Sequence, residues 1–570
     1  MKITARIAFA VAALLIYTSI TFPIPVSAAS YSNYEKALDL KILGLLANSP
    51  DNFELGRAPS RVEGAVMLVR LLGKENFVKQ GSFIHPFTDV PAWASNYIGY
   101  LYQNGLTKGI SDSEFDPDSL MTANQYFTFV LRSLGYDDKT DFVYDQAIEK
   151  ASQIGLVNLS QAVALKKTSS FLRNDMVGIS YNALSARIKA STLTLLDRLA
   201  VTDKAIFKPA ARVLGLYTSD LKADFTGIAA YKPKVDKYGS VAKNGSDLFY
   251  LLRDAMYYNK GSLKIDVQNY NGNITDDFKA MFDKASKVVT EITGVEDFIS
   301  SWKYLSGSNT FALTISYRYS KNMFAQKQQN AKDTINKARV TVATLILSGM
   351  SEYNKEKTLH DYIINNTRYD YENYLKNTIP DESFSAHGCL VRGVAVCEGY
   401  SKAMKLLCDL SSLECTVVSG KSKCSGTLEG HAWNIVKIDG EYYHLDVTND
   451  DPVAKNGGNI LTYYYFNLPD SEMALSNVWD RTAYQKCTSV KNSYYYKNSM
   501  LADNRNAFDN AVKTALEMRK SIIELKVSDY SEARYSNLSD VIFKTNTVLR
   551  YNSLVNEELG IIRIYNIQYS

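Results

Sequence analysis

The stretch GVAVCEGYSKAMKLL, residues 393–407, decides how the C-terminal half of this chain is read. Val394-Ala395-Val396 is extended in character. Ala403, Leu406, Leu407 and Leu410 then recur at the three- and four-residue spacing of a helix with one apolar stripe. Cys397 therefore falls in or just before a first helical turn. The unpaired N–H groups and the positive end of the helix dipole there favour an anion, so a thiolate is stabilised relative to the thiol. Gly399 leaves room for close approach, and Glu398 opposes the effect on the sulfur while supporting the helix. A thiol so placed is either a small buried apolar group or a nucleophile, and a nucleophile needs a base.

A base is offered by GHAWNIVKIDGEYYHLDVTNDDP, residues 430–452. Two strand-like runs flank Asp439-Gly440, a pair suited to a type I′ hairpin turn. With that turn Ile438 faces Glu441 and Asp446 falls opposite Trp433. His431 is two residues from Trp433, so it shares a face with Asp446, diagonal to it at roughly 7–8 Å between backbones. A carboxylate so placed holds an imidazole in one tautomer while the other ring nitrogen points at a thiol. His444 shares this face and is read as structural. His360 and His387 have no acid partner that the sequence places, and Asp450 and Asp451 are read with Asp446 as part of a solvated turn. That acidic run lacks the Gly and Glu of a calcium-binding EF-hand loop, so no metal is expected.

LHDYIINNTRYDYENY (359–374), SAHGCLVRGVAVCEGYSKAMKLL (385–407) and the hairpin together resemble the transglutaminase-like superfamily. The resemblance implies a papain-like α+β domain over 346–500, with Cys397 as nucleophile, His431 as general base and then acid, and Asp446 orienting His431. The implied chemistry is acyl transfer on peptide amides, to water or to an amine, with no cofactor. Asn449 stands where bacterial members usually have Trp, and His387 where Tyr is common. Both departures bear on the shape of the pocket.

Towards the N-terminus, residues 226–345 mix strands (SLKIDVQNY, TFALTISYRYS) with helices and read as an α/β extension. Residues 188–225 read as a helical connector, and 31–187 as three copies of a helical hairpin, at about 31–75, 87–136 and 141–187. Short hairpins bury an apolar face only by stacking on one another. The copies carry Phe87, Asp89, Val90 and Trp93, then Phe115 and Pro117 in a loop, then a closing helix that starts Ser60-Arg61-Val62-Glu63 in the first copy. The start is Thr122-Ala123-Asn124-Gln125 in the second and Leu172-Arg173-Asn174-Asp175 in the third. This region resembles the S-layer homology domain. The resemblance implies that Arg61 and Arg173 hold an anionic cell-wall polysaccharide in grooves between repeats, a planar guanidinium suiting a carboxylate.

Residues 1–28, with Lys2 and Arg6, an apolar run and Val26-Ser27-Ala28, read as a secretory signal. No other window is apolar enough to span a membrane. With a formal net charge of +4 and no basic cluster, the chain offers no nucleic-acid surface. All six cysteines lie between 389 and 487 with no CxxC, which argues against zinc and leaves disulfide pairing open. Residues 501–570 read as a small α/β region without a motif. The expected protein is multidomain: all-α repeats that attach it to the wall or S-layer of a bacterium, followed by a secreted α+β thiol enzyme acting on a peptide or protein. The alternative is a catalytically silent wall-bound binding or structural protein on the same fold.

Overall fold

The computed structural model describes residues 32–47, 53–217, 235–236, 239–257, 261–293, 298–305, 309–317, 321–424, 427–452, 460–545 and 547–570. The expected signal segment, 1–28, and the end of the connector, 218–225, lie outside these. The described residues fall into two compact units, one within Thr21–Ser348 and the other within Gly349–Ser570.

In the first unit the repeats are built on α1 (Asn33–Ile42), α2 (Arg61–Leu71), α3 (Ser95–Gln103), α4 (Ala123–Ser133), α5 (Ala147–Gln153) and α6 (Arg173–Leu184). The closing helices α2 and α4 start with reciprocal capping boxes, Ser60 with Glu63 and Thr122 with Gln125. In α6 Asp175 still accepts from the Leu172 N–H at 2.9 Å.

First-turn N–H groups of α2 and α6 find acceptors in other copies. Arg61 and Val62 donate to Ser119 and Pro117 of the second copy, and Arg173 and Asn174 donate to Arg57 and Leu55 of the first. The third copy thus closes onto the first, and α2, α4 and α6 touch pairwise. The copies form an interlocked ring, because the starts of α2 and α6 draw missing acceptors from another copy's loop.

The rest of this unit is a five-stranded sheet, in the order β1-β2-β3-β5-β4, built from β1 (Val235–Asp236), β2 (Gly239–Val241), β3 (Ser262–Asp266), β4 (Phe298–Leu305) and β5 (Thr310–Tyr317). Phe311, Leu313 and Ile265 of the sheet share a core with Leu248 and Phe278 of α7 (Gly245–Tyr257) and α8 (Ile274–Thr293). The long helix α9 (Lys321–Leu345) returns to α1. Its Arg339 pairs with Asp39 at 2.7 Å, and both side chains are buried.

The second unit opens with α10 (Glu352–Asn366), the parallel pair β6 (Arg368–Tyr369) and β7 (Val394–Ala395), and α11 (Cys397–Leu410). Its main sheet has the order β11-β10-β9-β8-β12, from β8 (Cys415–Cys424), β9 (Thr427–Ile438), β10 (Glu441–Leu445), β11 (Phe466–Leu468) and β12 (Asn477–Trp479). A second sheet, β13-β14-β16-β15, is formed by β13 (Leu501–Ala502), β14 (Ile523–Val527), β15 (Val548–Asn556) and β16 (Ile561–Tyr569), with α12 (Arg505–Glu517) against it. Leu559 and Ile561 join Trp433, Val418 and Tyr495 in one core, while Ala502, Phe508, Ile523 and Ile564 belong to a second core made of residues after 500.

Candidate active site

Cys397 is the first residue of α11 and is half-buried. The segment before it is pinned: Val396 donates to the Ser383 carbonyl at 2.9 Å, and the Ser383 hydroxyl donates to Asp370 at 2.6 Å. A Cβ on Gly399 would come within 2.5 Å of the Ser383 carbonyl oxygen, so only glycine lets this loop lie against the first turn. Glu398 is paired with Lys402 one turn on, at 2.9 Å, which offsets the charge that the sequence sets beside the thiol.

The hairpin has the expected register. Asp439 and Gly440 both take positive φ, 51° and 88°, Ile438 faces Glu441 and Asn434 faces Leu445. Asn434 also donates to the Ser401 carbonyl of α11 at 3.0 Å, tying the sheet to the helix that bears Cys397. Asp446 follows the last residue of β10 and is fully buried.

His431 Nε2 lies 2.7 Å from Asp446 Oδ2, which leaves Nδ1 for the sulfur, and the ring is within hydrogen-bonding reach of Cys397. Burial alone would lower the imidazole's pKa. The Asp446 carboxylate outweighs it, with a further contribution from Cys397, and holds the ring's pKa well above the usual histidine value. Cys397, His431 and Asp446 are therefore together. Arg61 and Arg173 lie in the other unit, each buried with its Nε on a backbone carbonyl: Phe115 at 2.8 Å and Phe53 at 3.0 Å. Each guanidinium thus gives its Nε to a loop carbonyl of the repeats.

Three features escaped the sequence reading. Asn449 clasps Asp446 twice, its backbone N–H on Oδ1 at 3.1 Å and its amide on Oδ2 at 2.8 Å. The spacing Asp-x-x-Asn is a local capping pattern and could have signalled it. The acidic run is not a solvated turn, since Asp450 is fully buried and Asp451 nearly so. Asp450 meets His360 Nε2 at 3.1 Å and accepts from the Tyr465 N–H at 2.9 Å, while Asp451 accepts from the Tyr400 hydroxyl at 2.6 Å. His360, with no acid partner placed from sequence, has two, Asp361 at Nδ1 and Asp450 at Nε2. Burial would lower its pKa, but these two carboxylates hold it raised.

Trp433 stacks on His431, ring centroids 5.9 Å apart, and donates from Nε1 to His444 Nδ1 at 2.9 Å. Since indole only donates, neutral His444 carries its proton on Nε2, facing Asp470 Oδ1 at 2.9 Å. His444, Asp470 and Cys487 bring one ligand atom each within 4.8 Å of one another. A metal on His444 Nε2 would have to displace that proton while Trp433 holds the other nitrogen, so the donor set fits a hydrogen-bonded relay and not an ion.

Residues 340–447 match the transglutaminase-like superfamily, and residues 86–122 match the S-layer homology domain. The first match spans Cys397, His431 and Asp446, and the second falls on the second of the three copies. Among curated relatives, it is similar to a "Middle cell wall protein" of Brevibacillus brevis, 27% identical over 149 residues, 25% of this chain and 14% of that protein. It is also similar to a "Cell surface protein" of Thermoanaerobacter kivui, 34% identical over 109 residues, 19% of this chain and 14% of that one. The chain therefore spans only about a seventh of the length of these relatives. A solved structure described as a TGase is 18% identical with a TM-score of 0.19, covering 36% of this chain and 59% of that one, an overlap that carries no argument about activity.

Proposed function

We propose that this protein is a cell-surface thiol enzyme, attached to the wall by its S-layer homology repeats, that transfers acyl groups from peptide amides. The observation that carries the reading is the His431–Asp446 contact of 2.7 Å on a ring whose other side reaches a cysteine at a helix start. The thiolate of Cys397 attacks the amide carbonyl, and the first-turn N–H groups of α11, including that of Cys397, face the developing oxyanion. The imidazolium of His431 gives its proton to the departing amine as the C–N bond breaks. Neutral His431 then takes a proton from water or from an acceptor amine, which attacks the thioester and expels the thiolate. The product is a free carboxylate or a new amide. Asp446 holds the proton on Nε2 through the 2.7 Å contact.

Asn449, the departure that raised the silent-scaffold alternative, bonds to Asp446 in place of filling the pocket as an indole would. It therefore supports the triad. The test is selective alkylation. At pH 6 iodoacetamide should modify Cys397 far faster than Cys389, Cys408, Cys415 or Cys487, all of them buried, and His431→Ala should remove the difference. Slow, equal labelling of all six cysteines in the unaltered protein would return the chain to the scaffold class. Incubation of the active protein with wall peptides and an added amine distinguishes the two acceptors by product mass.

A further inference from the structure

Behind His431 stands a second acid–imidazole pair that takes no part in the acyl-transfer steps. His431, Trp433 and Ile435 alternate along one face of β9, and His444 of β10 lies opposite Ile435 on that face. The Trp433 ring runs nearly parallel to that of His431, at 23° with centroids 5.9 Å apart. The indole is itself held. Its Nε1–H donates to His444 Nδ1 at 2.9 Å, and His444 Nε2 faces Asp470 Oδ1 at 2.9 Å. Asp470 in turn accepts from the Cys487 N–H at 3.3 Å and donates to the Cys487 carbonyl at 2.7 Å. Trp433 and His444 are buried, and Trp479 stands edge-on to both, with centroids at 5.8 and 4.6 Å.

Packing alone does not call for this set. A phenyl ring would fill the place of His444 without bringing in a polar group that burial penalises unless it is bonded. An imidazole that accepts at Nδ1 and donates at Nε2 suits one orientation of the indole, and so one plane for the ring stacked on it. The Asp446 contact fixes one nitrogen of His431 and leaves the tilt of the ring to its neighbours. The indole face limits that tilt, and with it the direction in which Nδ1 meets the sulfur.

We propose that Asp470 and His444, acting through Trp433, position the imidazole of His431 for Cys397. His444 is thus a positioning residue that touches no reacting group, and the inference rests on the acyl-transfer reading of the site. The charges around it are Asp470, Asp446 and Arg481, the last lying over the Trp479 ring at 4.8 Å. Burial lowers the pKa of His444 and Arg481 adds to this against the two carboxylates, so at neutral pH Nδ1 stays an acceptor for the indole.

A double-substitution cycle on the full chain tests the role, read as Cys397 alkylation by iodoacetamide against pH and as kcat and KM on a wall peptide. His444→Phe removes the acceptor, and Trp433→Phe removes the donor while keeping an aromatic face. Each should slow alkylation at pH 6 by roughly fivefold or more relative to pH 9, where the thiolate forms without the imidazolium, and lower kcat by a similar factor with KM little changed. A loss of stability alone would leave this pH ratio in place for the folded protein. In the Trp433→Phe background His444→Phe should cost nothing further, and His444→Asn, whose amide oxygen stands in for Nδ1, should recover most of the rate. Losses that add across the cycle, or a wild-type pH ratio in folded His444→Phe protein, overturn the proposal. Where His444→Phe does not fold, Asp470→Ala at its partly exposed position takes its place in the cycle, and additive losses count against the proposal in the same way. If His431→Ala leaves Cys397 alkylation unchanged, the acyl-transfer reading itself fails. If His431→Ala slows it and His444→Phe does not, the positioning role alone is excluded.

Discussion

Arg61, Arg173 and Cys397 each stand first in a helix, and the two units use that position in opposite ways. In the repeats Arg61 and Arg173 put a cation at the positive end of a helix, an arrangement the dipole disfavours by about 0.3–1 kcal/mol. Each is retained by a loop carbonyl, and Arg61 also by two aromatic rings, so the unfavourable field is outweighed by local bonding. In the second unit the first residue is Cys397, which brings no cation to that end and is the nucleophile of the proposed function. One backbone device therefore holds a clamped arginine in one unit and, in the proposed function, presents a sulfur in the other.

The largest effect expected from breaking the comparison is on the second unit. His431→Ala should lower acyl transfer on the order of a thousandfold, and Asp446→Asn by a similar or somewhat smaller factor, read as kcat/KM on a wall peptide. Asp446→Asn carries a second signature. The carboxylate raises the imidazole's pKa, so removing it should move the alkaline limb of the pH–rate profile to lower pH.

Next comes Asn449→Ala, which leaves Asp446 with one fewer side-chain donor. A loss of roughly tenfold in kcat with little change in KM is expected, since Asn449 orients the acid and does not meet substrate; a change confined to KM would contradict that role.

In the repeats, Arg61→Ala strands the Phe115 carbonyl and should cost about 1–3 kcal/mol in urea unfolding of that unit, with Arg173→Ala in the same range. Equal stability of both variants and wild type would show that the arginines are not clamps.

The smallest effect sharpens the comparison through pH. Glu356 is buried, and burial pushes its carboxyl up to about 8 while Asn467 donates to it. A pKa raised on folding adds stability that is present below the unfolded value of about 4.3 and fades as pH climbs towards 8. Glu356→Gln should flatten that decline, at most about 1.4 kcal/mol per pH unit, measured by urea midpoints between pH 5 and 8.

Much of the second unit was legible because its signals are local. The apolar stripe after Cys397 and the Asp439-Gly440 turn each fix backbone within a few residues, and the turn alone sets the parity that brings His431 and Asp446 to one face. What escaped depends on distant partners. Asp450 looks like one of several acids in a turn until His360, 90 positions away, is packed against it. The ring of repeats escaped for the same reason, since the Arg173–Arg57 and Arg61–Ser119 backbone bonds join separate copies. The setting of the two arginines escaped as well, because sequence shows a guanidinium without showing the carbonyl its Nε meets.

The ion pair between Arg339 and Asp39 has a practical meaning for anyone dissecting this protein. A fragment cut after the third repeat would lose the guanidinium that pairs with the aspartate and bare the face of α1 that α9 covers. The repeats are thus not a self-contained piece of the fold. Grafted elsewhere, they need the long helix of the following region to travel with them.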